Sequence, residues 1–209
     1  MLGVVFGDKY TRDDYGAILN YARVIPPAPK TNYVDIAGGN SSLDLTEALG
    51  GIVYEDGSIE FKFTLFSRDA LSRMKNDIHG KRMDIVLERE SDFCYNGRIS
   101  CTKEAQDGRL HELCLTAQVY PYKFERMETI YVETVDGQEK EILLQNEAMP
   151  VMPKIVVEGN IHITHEGIRY RMETGEYQDP DILLHEGDNR IKLSGKGTVR
   201  FVYRKGRII

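Results

Sequence analysis

Between Gly57 and Leu65 the large apolar residues fall on every second position: Ile59, Phe61, Phe63 and Leu65 alternate with Ser58, Glu60, Lys62 and Thr64. A strand turns successive side chains to opposite faces, so this pattern predicts a strand with one buried face. Burying those four side chains contributes roughly 6–12 kcal/mol before chain entropy is subtracted, at ~1.5–3 kcal/mol each. The period then changes. Leu71, Met74 and Ile78 recur at spacings of three and four, the stripe of an amphipathic helix. Ser67 is placed to cap its start, Asp69 lies where the helix dipole favours an anion, and Gly80 suits the left-handed position past its end. It is the one helix that the pattern predicts.

Strands are also expected around 84–88, 97–102 and 113–120. In the last of these Leu113, Leu115, Ala117 and Val119 share a face. Glu104-Ala105-Gln106-Asp107-Gly108 reads as a turn, and Val4-Val5-Phe6 with Tyr10 and Tyr15 reads as a short strand and a loop. Residues 1–124 are thus an α+β domain, one helix on a largely antiparallel sheet, closed by Pro121-Tyr122-Lys123-Phe124. Residues 125–209 change character, with short apolar runs at 130–135, 139–144, 155–157, 161–163, 168–172, 182–184, 191–193 and 199–203. Asp136-Gly137 carries a hairpin signal, His165-Glu166-Gly167 reads as a turn, and Gly195 and Gly197 flank another. This half is expected to be an all-β sandwich, and the fold class is mainly β.

One segment escapes both periods. Pro26, Pro27 and Pro29 force extended backbone that cannot pair as a central strand. The stretch that follows is polar and glycine-rich, with scattered apolar residues: Tyr33, Ile36, Leu43 and Leu45. So long a stretch with so little periodicity, about 26–56, is expected to be an arm or hairpin ordered by a neighbouring subunit.

The net charge is −6, and both halves share it: residues 1–124 carry 15 Lys/Arg against 18 Asp/Glu, residues 125–209 carry 12 against 15. Neither half is a basic module, which argues against a dedicated nucleic-acid binder. The first residues lack the basic start of a signal peptide, and no apolar run approaches the ~20 residues of a membrane span. Cys94, Cys101 and Cys114 are odd in number and lack zinc spacing, so they read as small hydrophobes in a sheet, in a reducing assembly environment.

Catalytic chemistry finds little purchase. Ser72-Arg73-Met74-Lys75 has Ser-x-x-Lys spacing without the partner motifs of penicillin-binding enzymes. The histidines are His79, His111, His162, His165 and His185, expected at the surface. His162 and His165 fall on opposite faces of a strand, which cannot build a zinc site. Ser194-Gly195-Lys196-Gly197-Thr198 lacks the first glycine of a phosphate loop and reads as a hairpin turn. Asn40-Ser41-Ser42 is a glycosylation sequon only in a secreted chain. Asp179 and Asp181 flank Pro180 as solvated acids. The expectation is no enzyme, no cofactor and no metal.

Five local signatures, in order, resemble the phage distal tail protein family. They are Pro26–Ile36 leading to Ser42-Leu43-Asp44-Leu45-Thr46-Glu47-Ala48-Leu49; the strand–helix unit ending His79-Gly80-Lys81; Phe93-Cys94-Tyr95-Asn96-Gly97-Arg98, similar to an aromatic-x-Gly-Arg strand entry; Pro121-Tyr122-Lys123; and Glu176-Tyr177 with Asp181-Ile182 and Glu186-Gly187-Asp188-Asn189. The resemblance implies a virion tail protein, assembled in the bacterial cytoplasm. It would form a ring, usually a homohexamer, that joins the tail tube to the baseplate or tip. The first domain would be tail-tube-like and the second galectin-like or carbohydrate-module-like. Partners would be the tube protein, a tail-associated hub or lysin, and receptor-binding or side-fibre proteins, and no membrane. DNA would pass through the lumen without specific binding, which an acidic surface favours. The alternative is a carbohydrate-binding adhesion protein. The chain has no Trp, and Tyr177 is the candidate glycan contact.

Overall fold

A computed structural model describes residues 3–48, 50–178 and 181–209. In chain order the elements are β1 (Val4–Phe6), β2 (Lys9–Tyr10), α1 (Thr11–Tyr15), β3 (Ile18–Ile25), β4 (Tyr33–Asp35), β5 (Ser42–Asp44), β6 (Gly57–Leu65), α2 (Arg68–Ile78), β7 (Arg82–Leu87), β8 (Phe93–Asp107), β9 (Leu110–Val119) and β10 (Tyr122–Glu125). There follow β11 (Thr129–Asp136), β12 (Lys140–Asn146), β13 (Lys154–His165), β14 (Ile168–Met172), β15 (Gly175–Tyr177), β16 (Gly187–Tyr203) and β17 (Gly206–Ile208). The chain is mainly β. It divides into two compact units, residues 1–123 with Ile209, and residues 124–208.

The first unit is an antiparallel sheet with strand order β2-β1-β7-β8-β9-β6-β3. The alternation in β6 is realised in full, with Ile59, Phe61, Phe63 and Leu65 completely buried. Leu113, Leu115, Ala117 and Val119 of the neighbouring β9 lie on the same side. Helix α2 covers this face with Ala70, Leu71, Met74 and Ile78. Gly80 takes the left-handed conformation (φ 76°), but Ser67 makes no side-chain capping bond.

A second, five-residue helix, α1, stands where a loop was expected. It is held by its ends: Thr11 Oγ1 accepts the Val4 N–H, and the Tyr15 hydroxyl donates to Asp77 of α2 at 2.8 Å. Strand β3 was not anticipated either; its register shifts between Leu19 and Tyr21, which breaks the alternation. The expected turn at 104–108 is narrower. Strand β8 runs to Asp107, and Gly108 (φ 59°) and Arg109 alone reverse the chain.

The second unit corrects three readings. The runs at 155–157 and 161–163 belong to one strand, β13, and those at 191–193 and 199–203 to one strand, β16. Ser194–Thr198 is therefore not a hairpin turn; it lies inside β16. Asp136-Gly137 is not a hairpin either. Strands β11 and β12 both run antiparallel to β16, end to end, with Asp136 opposite Lys196 and Lys140 opposite Leu193. The turn-forming residues make a bulge of three residues against two. On the other flank β14 and β15 run end to end along β13 in the same way. His165-Glu166-Gly167 does form the expected tight turn, both central residues having positive φ.

The long strands β13 and β16 fold over at their glycines. Gly159, Gly195 and Gly197 have φ of 105°, 106° and 149°. A Cβ on Gly195 would fall on the Asn160 carbonyl oxygen, and one on Gly197 on that of Glu158. Only glycine permits so close a crossing. Inward positions stay in phase through the fold: Ile155, Val157, Ile161 and Ile163 on β13, and Ile191, Leu193, Val199, Phe201 and Tyr203 on β16, share one core cluster.

Candidate assembly surface

The residues considered for catalysis are dispersed. Ser72 is exposed, and Lys75 is engaged by Glu104 at 2.7 Å. Two of the five histidines are buried rather than at the surface. His111 pairs with Leu65 at the end of the first core, and His165 donates its Nε2 proton to the Leu183 carbonyl at 3.0 Å. His79 Nδ1 accepts the Cys101 N–H, and His185 lies 3.6 Å from Glu166. Among the described residues no three His, Cys, Asp or Glu side chains are placed to hold a metal. Cys94, Cys101 and Cys114 are free thiols, and burial pushes the Cys101 thiol up. Among the described residues no helix is long and apolar enough to cross a membrane. Asp179 and Pro180 lie outside the described residues.

The segment 26–56 is a two-stranded ribbon. Its limbs zip from the base outward: Glu55 N–H to the Ala28 carbonyl (2.8 Å), Lys30 N–H to Val53 (2.7 Å) and Leu45 N–H to Asn32 (2.8 Å). Beyond these, β4 pairs with β5, Tyr33 opposite Asp44, Val34 opposite Leu43 and Asp35 opposite Ser42. Ser42 Oγ donates to Asp35 at 2.6 Å, and hydrogen bonds from the Thr46 hydroxyl and then its N–H hold the Asp44 carboxyl below the usual range. The two limbs are therefore paired with each other, while their apolar side chains stay uncovered. Tyr33 (58% exposed), Ile36 (55%) and Leu43 (51%) face solvent with Val34, Ile52 and Val53, while Leu45 is half-buried. Of the three prolines only Pro27 is buried; Pro26 and Pro29 are exposed, and Pro29 bridges Tyr54. A two-stranded ribbon with no core of its own is marginal in water and gains order by covering its apolar face.

The aromatic-x-Gly-Arg strand entry has a structural cause at each position. The buried Tyr95 donates its hydroxyl to Glu90 at 3.0 Å, and Glu90 also receives Lys123 at 2.6 Å. Gly97 is crossed so closely that a Cβ would meet the Gln118 carbonyl. Arg98 donates to the carbonyl of Gly80 at 2.6 Å, tying the strand to the end of α2. In the second unit Asn189 is buried. Its amide donates to the carbonyls of His185 (2.8 Å) and Leu144 (3.2 Å), and its oxygen accepts the His185 N–H. Tyr177 is half-buried; its hydroxyl donates to the Glu173 carbonyl at 2.9 Å and accepts the Glu173 N–H at 3.2 Å.

No family model matches the chain, and no curated protein matches it in sequence. Among solved structures it is similar to Dit (gp 19.1) of phage SPP1, described as a paradigm of the hub adsorption apparatus in phages that infect Gram-positive hosts. The TM-score is 0.72 at 15% identity, over 98% of this chain and 99% of that one. The shared fold thus takes in both units.

Proposed function

We propose that this protein is a structural hub of a bacteriophage or prophage tail tip, a virion component rather than an enzyme. Similarity to a hub adsorption protein over nearly the full length of both chains carries the reading. The exposed apolar ribbon supports it from physics: an element with open strand edges and bare apolar side chains is built to meet another chain. In this role copies assemble into a ring, a homohexamer, in the host cytoplasm. The first unit, tail-tube-like, forms the ring wall, and the second, galectin-like, carries the outer decorations. The tail tube protein, a tail-associated hub or lysin and receptor-binding proteins are its partners, and DNA passes through the lumen without being held.

The test is the solution mass by light scattering after size exclusion, followed by antibody labelling of intact virions. The expected results are a species of about six times the 23.9 kDa chain mass and label at the distal end of the tail. Absence of the protein from purified virions would overturn the proposal.

A further inference from the structure

One row of the first sheet carries different features at its two ends. Pairing lines up Ile25 of β3, Ser58 of β6, Gln118 of β9, Arg98 of β8 and Arg82 of β7. The ribbon springs from the β3–β6 end, between Ile25 and Gly57. The two arginines stand toward the other end, about 14 and 19 Å from Ile25 at ~4.8 Å per strand. They lie directly opposite each other and are exposed, on the face turned away from the core. Like charges so placed repel, and the pair costs stability. Each is anchored by one N–H to a neutral acceptor: Arg82 Nε to the Asn96 side-chain oxygen at 2.7 Å, Arg98 Nη1 to the Gly80 carbonyl at 2.6 Å. Neither forms an ion pair among the described residues; Asp84, on the same face, accepts from the Asn96 amide at 2.7 Å. Two anchored guanidinium forks with N–H groups to spare match carboxylates.

The ribbon gathers carboxylates on one face. Alternation puts Tyr33, Asp35, Ser42 and Asp44 opposite the Val34–Leu43 side, and the register makes Asp35 and Asp44 diagonal neighbours. Such neighbours lie about 7–8 Å apart, a spacing that two long arginine side chains on adjacent strands can meet. Both acids are exposed, and both are held from within the ribbon, by Ser42 and by Thr46, rather than by a cation. Across 30–56 the acids Asp35, Asp44, Glu47, Glu55 and Asp56 stand against Lys30 as the only cation. From Pro29 to Asp35 the limb extends about 20 Å, enough to bring its carboxylates to a neighbouring molecule.

We infer that Arg82 and Arg98 receive Asp35 and Asp44 from the arm of the next copy. An arm on one side of the row and a receiver on the other make a head-to-tail contact, the kind that closes rings. The charge match lies on the faces that meet, and it relieves the repulsion within each pair. Val34 and Leu43, on the ribbon's other face, stay available to a further surface of the assembly. The inference rests on the reading of the arm as a subunit joint.

Two full-chain variants test it, each alone and then mixed, by light scattering against concentration. The receiver variant combines Arg82→Glu with Arg98→Gln, whose amide keeps a donor for the Gly80 carbonyl. The arm variant combines Asp35→Lys with Asp44→Lys. All four native side chains are exposed, and thermal melting checks that each variant folds. Each variant alone should raise the half-assembly concentration by about tenfold or more. An equimolar mixture should recover part of the loss, because copies that alternate around a ring again meet opposite charges. A merely misfolded variant gives no such recovery. Native assembly by the receiver variant would overturn the receiver and leave the arm as joint. Native assembly by the arm variant, a mixture no better than its components, or a native chain that stays monomeric would overturn the pairing. The virion label tests the hub reading separately, whichever of these results is found.

Discussion

Gly159 of β13 stands directly opposite Gly197 of β16, and neither position has room for a side chain. A Cβ on Gly197 would fall on the Glu158 carbonyl oxygen and one on Gly159 on that of Lys196, and both residues have positive φ. The second core is thus permitted by what two residues lack. Gly197→Ala is expected to destabilise the second unit by about 2–4 kcal/mol, from strained backbone and a steric conflict that has no flexible neighbour to yield. Gly175→Ala is the control: its φ is ordinary and its Cβ would lie 3.5 Å from the Tyr177 ring, so little should change. Urea unfolding of both variants checks the contrast.

Met74 lies on the buried stripe of α2 and is completely buried in the first core. Met74→Ala should cost about 3 kcal/mol through lost burial and a residual cavity. Met74→Asp should unfold the first unit, because an unpaired charge would face Phe and Leu side chains. Equilibrium unfolding and near-ultraviolet dichroism distinguish the two results.

Glu90 predicts an acid-sensitive contribution. Burial pushes its carboxyl up, but the bonds from Lys123 and Tyr95 outweigh that and hold it below the usual carboxylate range. A carboxyl held low in the folded chain adds stability above its unfolded value, about pH 4.3, and loses it as pH falls through the folded value. Glu90→Gln should therefore be less stable than the native protein at pH 7, and the gap should close as pH falls below the usual carboxylate range. Urea midpoints across that range report it, and a constant gap would contradict the assignment.

The arm predicts a dissociation of stability from assembly. Ile36→Ser and Leu43→Ser replace exposed side chains, so each should change the unfolding free energy by less than about 0.5 kcal/mol. Both should impair assembly. Parallel melting and light-scattering measurements would show whether the two properties separate.

Legibility in the sequence followed the strength of local constraint. Strand β6 and helix α2 were readable because one buried face imposes one period on many consecutive residues. Strand β3 was not, since it is an edge with a register shift, and mixed exposure erases alternation. Helix α1 was missed because its five residues show no period; it is held by Thr11 and Tyr15 through long-range bonds. Asp136-Gly137 and Gly195–Gly197 misled for a shared reason. Turn chemistry records that the backbone leaves ordinary conformations, not that the chain reverses direction. His165 was placed at the surface because its bond to the Leu183 carbonyl joins residues 18 positions apart, which local pattern does not carry. The arm was legible by its want of pattern. Its paired limbs were not, because weak alternation on a solvent-exposed ribbon does not define a register.

The ribbon's acids have a consequence for copies that have not yet assembled. An apolar, solvent-facing hairpin offers its own twin a ready template for stacking into fibrils. Asp35 and Asp44 interrupt that template, and with Glu47 they make two arms repel when brought side by side. Like-charge repulsion of this kind disfavours stacking of identical arms when chains are crowded during synthesis.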